Sequence, residues 1–131
     1  MTFVDTAAWF ALYISDDPNH RVACQWVLTN RSELVTTDYV IDETLTLLRS
    51  RGQRVVAIAF GAELFGGEVA TIFHVTAEDV DNSWQVFHGF DDKNWSFTDC
   101  TCKVVMERLS IDTAFTFDHH FRQFGNVTVV P

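Results

Sequence analysis

The chain has 131 residues, 47% of them hydrophobic, with 12 Phe, 4 Trp and only 2 Pro and 6 Gly; this is material for one buried core and excludes a disordered tract, so a single domain over residues 1–131 is expected. A formal charge of −9 excludes capture of nucleic acid by an overall basic surface, and an odd count of three cysteines excludes a disulfide framework and fits a reducing compartment. The sequence shows neither a secretory signal pattern nor an apolar run of membrane-spanning length, so a soluble, cytoplasmic protein is expected.

Thr2 to Val4 reads as a short buried strand that feeds a helix from Thr6 to Ser15. Asp16-Asp17-Pro18-Asn19 is turn chemistry, and His20 to Asn30 has helical periodicity with Val22, Ala23, Trp26 and Val27 as its inner face. Leu34 to Thr36 is a second strand. Asp38 is placed to cap a helix through Ser50, on which Ile41, Leu45 and Leu48 recur at near-helical spacing, and Gly52 ends it. A helix from Gln53 to Phe65 stops at Gly66-Gly67, a strand runs from Ala70 to Val75, and Thr76-Ala-Glu-Asp79 is a capping box opening a helix to about Phe90. Ser96 to Leu109 is another helix, opening with the capping-box pattern Ser96-Phe-Thr-Asp99. Ala114 to Phe117 is a strand, Asp118 to Phe124 a short helix, and Val127 to Val130 a closing strand. Strands alternating with helices imply an α/β/α sandwich with a mostly parallel central sheet covered on both faces.

Three aspartates mark element junctions. Asp5 closes the first strand, Asp118 follows Ala114-Phe-Thr-Phe117, and Asp99 stands at the start of an apolar helix. Each has an ordinary role as a cap or first-turn residue, and Asp99 is spaced to pair with Lys103. Jointly they say more. Two strands that each end in Asp and pass into a helix put both carboxylates on one edge of a parallel sheet, where open α/β folds bind ligands. Acids gathered there raise one another's pKa unless a cation sits among them, and a divalent metal is the simplest such cation. Asp42 and Glu43 lie on opposite flanks of their helix, and periodicity does not choose between them. Arg49, Arg51 and Arg54 form a basic strip that would suit a polyanion beside an acidic, metal-filled pocket.

Rival chemistries are thin. His119 and His120, adjacent on a helix, would not both point into one site, and Cys100-x-Cys102 falls short of a zinc framework. Nothing suggests a nucleophilic triad, and Gly66-Gly67 lacks the Lys-Ser/Thr of a phosphate loop.

Val4-Asp5-Thr6, Asp42-Glu43-Thr44 with its following leucines, Trp95-Ser-Phe-Thr-Asp99-Cys100-Thr101, and Thr116-Phe-Asp118-His-His-Phe121 before the closing Val-Pro resemble the PIN domain, specifically VapC-type ribonuclease toxins. The resemblance runs in order and spacing over essentially the whole chain. It implies a metal-dependent endoribonuclease with the acidic quartet Asp5, Glu43, Asp99 and Asp118, and so chooses Glu43 over Asp42. On this reading Asp5 and Asp99 ligate Mg²⁺ or Mn²⁺, Asp118 supports them, and Glu43 orients or deprotonates water. Thr6 and Ser96 are the expected supporting hydroxyls. Arg49, Arg51, Arg54 and His119 are the expected RNA contacts, His119 standing where relatives commonly carry Arg. The resemblance also implies a homodimer and a cognate antitoxin with a basic tail, for which Trp9, Phe10 and Tyr13 on the first helix are expected to be exposed anchors. Two other readings remain: a catalytically silent PIN-like binding module, and a phospho-aspartate receiver or phosphatase, although Asp5-Thr-Ala lacks the second Asp that the latter wants.

Overall fold

The computed structural model describes all 131 residues. In chain order the elements are β1 (Thr2–Val4), α1 (Thr6–Tyr13), α2 (His20–Thr29), β2 (Leu34–Thr37), α3 (Asp38–Ser50), α4 (Arg54–Phe65), β3 (Thr71–Phe73), α5 (Ala77–Gly89), α6 (Phe97–Arg108), β4 (Thr113–Phe115), a 3-10 helix (His119–Gln123) and β5 (Thr128–Val130). Five strands form one sheet in the order β3-β2-β1-β4-β5, and every pair is parallel. The chain steps outward from β1 to β2 to β3, then returns to lay β4 on the other side of β1. Right-handed crossovers put the helices of the two halves on opposite faces, giving the expected α/β/α sandwich. The reversal also opens a crevice beyond the carboxyl ends of β1 and β4.

All three β1 residues are buried, as a central strand covered on both faces requires. Phe3, Trp9, Phe60, Phe115 and Phe121 are the largest fully buried side chains. Trp9 lies under Phe60 of α4, with ring centroids 5.8 Å apart, and is therefore not the exposed anchor expected of it. Its indole N–H donates to Thr36 Oγ1 at 3.3 Å, and that hydroxyl donates to the Val4 carbonyl at 2.9 Å, so the buried polar atom is satisfied. Phe10 and Tyr13 are half-buried. Val22 also departs from expectation: it is exposed, and α2 turns Ala23, Trp26 and Val27 inward, with Trp26 against Phe115.

Helix starts follow side-chain chemistry. Thr37, not Asp38, caps α3 by accepting the Val40 N–H at 3.2 Å. Asp38 is the first helical residue, and its carboxylate accepts the N–H groups of Tyr39 and Val75. Both capping boxes form as read, Thr76 with Asp79 and Ser96 with Asp99. Gly52, at φ +71°, provides the left-handed step between α3 and α4. Lys103 pairs with Glu107 and leaves Asp99 to its cap. The third strand is shorter than read, because β2 runs out at Thr37, opposite Phe73.

Candidate active site

Asp5 is the first residue past β1. Its N–H donates to the Phe115 carbonyl at 3.4 Å, prolonging the β1–β4 ladder by one step, and its carboxylate caps α1 by accepting the Ala8 N–H at 3.2 Å. It is 5% exposed. Across the ladder stands Thr116, whose side chain helps hold the Asp5 pKa down and whose hydroxyl accepts the Asp118 N–H at 2.9 Å. Asp118 caps the 3-10 helix by accepting the His120 N–H at 2.9 Å. α6 leads directly into β4, so its first turn lies at the carboxyl edge of the sheet, and there the buried Asp99 accepts the Ser96 N–H at 3.0 Å. Glu43 comes from the second turn of α3 and is half-buried, whereas Asp42 is exposed.

These carboxylates act on one another. Burial pushes Asp5 up to about 7, the charges of Asp118 and Asp99 push the same way, and the bonds from Thr116 and Ala8 hold it down. Burial likewise raises Asp99, helped by Asp118 and Glu43 and opposed by the Ser96 N–H and His120. The buried Cys102 thiol is held well above its ordinary range by burial and by Asp5, Asp99 and Glu43 together. Asp5, Asp99, Asp118 and Glu43 are thus linked by their charges into one acidic cluster.

A PIN domain model matches residues 2–127. The chain is a PIN-domain protein. Within that family it is 34% identical over 132 residues to the 23S rRNA-specific endonuclease VapC20 of Mycobacterium tuberculosis (strain H37Rv), covering 100% of this chain and 99% of the relative. Ribonuclease VapC26 of the same strain is 24% identical over 134 residues, covering 98% of each chain. The crystal structure of M. tuberculosis VapC20, a sarcin-ricin loop cleaving toxin, superposes with a TM-score of 0.93 at 32% identity over 100% of both chains. This PIN domain therefore belongs to the VapC ribonuclease family, which sets aside the phospho-aspartate reading.

The donor chemistry of this PIN domain fits a divalent cation. Hard carboxylate oxygens gather there, and Asp5, raised to about 7 by burial and further by the charges of Asp118 and Asp99, is a carboxyl whose ionised form a bound cation would stabilise.

The hydroxyls of Thr6 and Ser96 have partners of their own. The Thr6 hydroxyl accepts from Thr44 at 3.3 Å, and the Ser96 hydroxyl accepts the Asp99 N–H, so neither touches a carboxylate oxygen. The hydroxyl that bears on the Asp5 pKa is that of Thr116, two residues before Asp118, whose N–H it accepts. His120, also unselected, faces the acids: its Nδ1 is 3.2 Å from Asp118 Oδ1 and 3.5 Å from Asp99 Oδ2. His119 is exposed, yet the two imidazoles lean together with centroids 4.3 Å apart, contrary to the divergence expected of helical neighbours. The segment is a 3-10 turn pinned by the Asp118 cap rather than an α-helix.

Arg49 and Arg54 line a groove of about 750 Å³ between α3 and α4. Thr46 and Ser50 border both that groove and the hollow beside Glu43 and Thr98, so the two run together. Arg51 instead sits over the Phe10 ring at 6.0 Å. No helix is long and apolar enough to cross a membrane.

Proposed function

We propose that the chain is a divalent-metal-dependent endoribonuclease and the toxin of a toxin–antitoxin pair, acting on an RNA loop of the kind its relative VapC20 cleaves, the sarcin-ricin loop of 23S rRNA. The supporting observation is the buried Asp5 carboxyl at the β1–β4 crossover, raised to about 7 beside Asp99 and Asp118, in a chain 34% identical to a 23S rRNA-specific endonuclease.

Asp5 and Asp99 would hold Mg²⁺ or Mn²⁺, with Asp118 supporting them. Bound there, the cation supplies Lewis-acid charge against the phosphodiester. Thr116 keeps Asp5 oriented and favours its ionised form. Glu43, half-buried, would orient a water and take its proton as the oxygen attacks phosphorus, while the P–O bond to the leaving ribose oxygen breaks and that oxygen takes a proton from solvent. Arg49 and Arg54, along the connecting groove, hold flanking phosphates and compensate locally for the charge of −9. Restraint of such an enzyme falls to a small antitoxin whose basic tail enters the acidic pocket, with Phe10 and Tyr13 as apolar contacts and a second copy of the chain completing the complex.

The experiment uses purified protein with a sarcin-ricin hairpin and a scrambled hairpin, in Mg²⁺, Mn²⁺ or EDTA. The sarcin-ricin hairpin should be cut only with metal, and Asp5→Asn and Asp99→Asn should fold yet fail to cut. Equal cleavage in EDTA rules out the metal mechanism, and equal cleavage of the scrambled hairpin rules out the loop. A neighbouring small protein that neither co-purifies nor blocks cleavage overturns the toxin assignment alone.

A further inference from the structure

We infer that His119, His120 and Asp118 form the donor set of a second kind of metal site, one for an imidazole-preferring transition ion such as Zn²⁺, at the rim of the oxygen-lined pocket. The inference rests on the proposed function only in that the two donor sets share Asp118.

The geometry carries it. One donor atom from each of Asp118, His119 and His120 falls within 4.8 Å of the others. Two donors on one tetrahedral ion, each about 2.0–2.1 Å from it, lie roughly 3.3–3.4 Å apart. The separations here bracket that edge: 3.2 Å from His120 Nδ1 to Asp118 Oδ1 and 3.9 Å from His119 Nδ1 to Asp118 Oδ1. The shared carboxylate is already fixed. Asp118 is held by its backbone bond to Thr116 and by its cap on His120. His119, 77% exposed along its side chain, is free to choose among its rotamers.

Imidazole nitrogen shifts the preference away from magnesium. Mg²⁺ selects oxygen and water, whereas Zn²⁺ and its neighbours in the first transition row favour imidazole. The pocket therefore presents two faces: oxygen at Asp5 and Asp99, mixed nitrogen and oxygen at Asp118 and the histidines. Because Asp118 belongs to both, an ion held by the imidazoles competes with one held deeper.

The test is calorimetric titration of the metal-free protein with ZnCl₂, beside the Mg²⁺-induced rise in melting temperature. Wild type should bind one Zn²⁺, His119→Asn should bind it at least tenfold more weakly, and His119→Asn/His120→Asn should lose the site while keeping its response to Mg²⁺. Absence of saturable Zn²⁺ binding by wild type overturns the inference, as does equal binding by the double variant. RNA left uncut under every metal, with Zn²⁺ binding that still follows the histidines, removes the proposed function and supports this site.

Discussion

Asp79 and Arg108 form a two-pronged ion pair between α5 and α6: Nε donates to Oδ1 at 2.8 Å and Nη2 to Oδ2 at 2.7 Å. The carboxylate is 1% exposed and also closes the α5 capping box. Burial pushes Asp79 up, but the bonds from Arg108 and Thr76 outweigh it and leave the pKa below the ordinary carboxylate value. Its stabilising contribution is therefore present above ~4 and is lost as pH falls through the lower folded value. Arg108→Ala strands the buried charge. Urea unfolding at pH 7 should show a loss on the order of 2 kcal/mol, less than for a fully buried pair because the Arg108 side chain is 40% exposed. The gap from wild type should narrow toward pH 3; a constant gap would count against the ion pair as its source.

Asp5 titrates with the opposite sign. Its folded pKa of about 7 lies above the ~3.9 of an unfolded aspartate, so its contribution is complete below ~4 and is lost as pH rises through about 7. In EDTA the protein should melt higher at pH 5 than at pH 8. Asp5→Asn should flatten that slope, the difference at pH 8 being on the order of a few kcal/mol. Identical slopes in the two proteins would show that Asp5 is not the group responsible.

Thr116→Val keeps shape and removes the hydroxyl. Asp5 loses a neighbour that favours its ionised form, and the Asp118 N–H loses its acceptor, so stability should drop on the order of 1–2 kcal/mol. The acid limb of the RNA-cleavage profile should move to higher pH, and Thr116→Ser should return it. A profile that stays in place while stability falls would reduce Thr116 to a structural role.

Asp118→Asn removes one charge from a like-charged pocket, so in EDTA it should be neutral or stabilising. Millimolar Mg²⁺ or Mn²⁺ should raise the melting temperature of wild type more than that of the variant. An equal response from both would mark Asp118 as a helix cap and nothing more.

Local chemistry was readable before any coordinates. The Thr76–Asp79 and Ser96–Asp99 capping boxes span four residues each and depend on nothing distant, and both formed as expected. Asp5 and Asp118 could be placed on one edge because strand direction alone decides that. The misplaced residues depend on what packs from elsewhere. Trp9 is buried because Phe60 of α4 closes over it, which the sequence of α1 does not contain. The direction of His120 depends on a 3-10 turn, where α-helical periodicity points side chains elsewhere, and that of Thr116 on β4 pairing with β1. Glu43 was separable from Asp42 only through the family resemblance, since the distinguishing fact is the approach of α3 to the first turn of α6, which bears Asp99.

The position of β4 beside β1 sets a schedule for synthesis. Asp5 leaves the ribosome among the first residues, but Thr116 and Asp118 arrive near the end of translation, and until they do β1 has a neighbour on one side only. Domains fold as units and parallel pairings between distant segments close slowly. A nascent chain therefore carries Asp5 without Thr116 across the ladder, and a product halted before β4 lacks Asp118 and the strand that sets it beside Asp5. That order of assembly leaves the acidic cluster incomplete until the last strands of the sheet have been made.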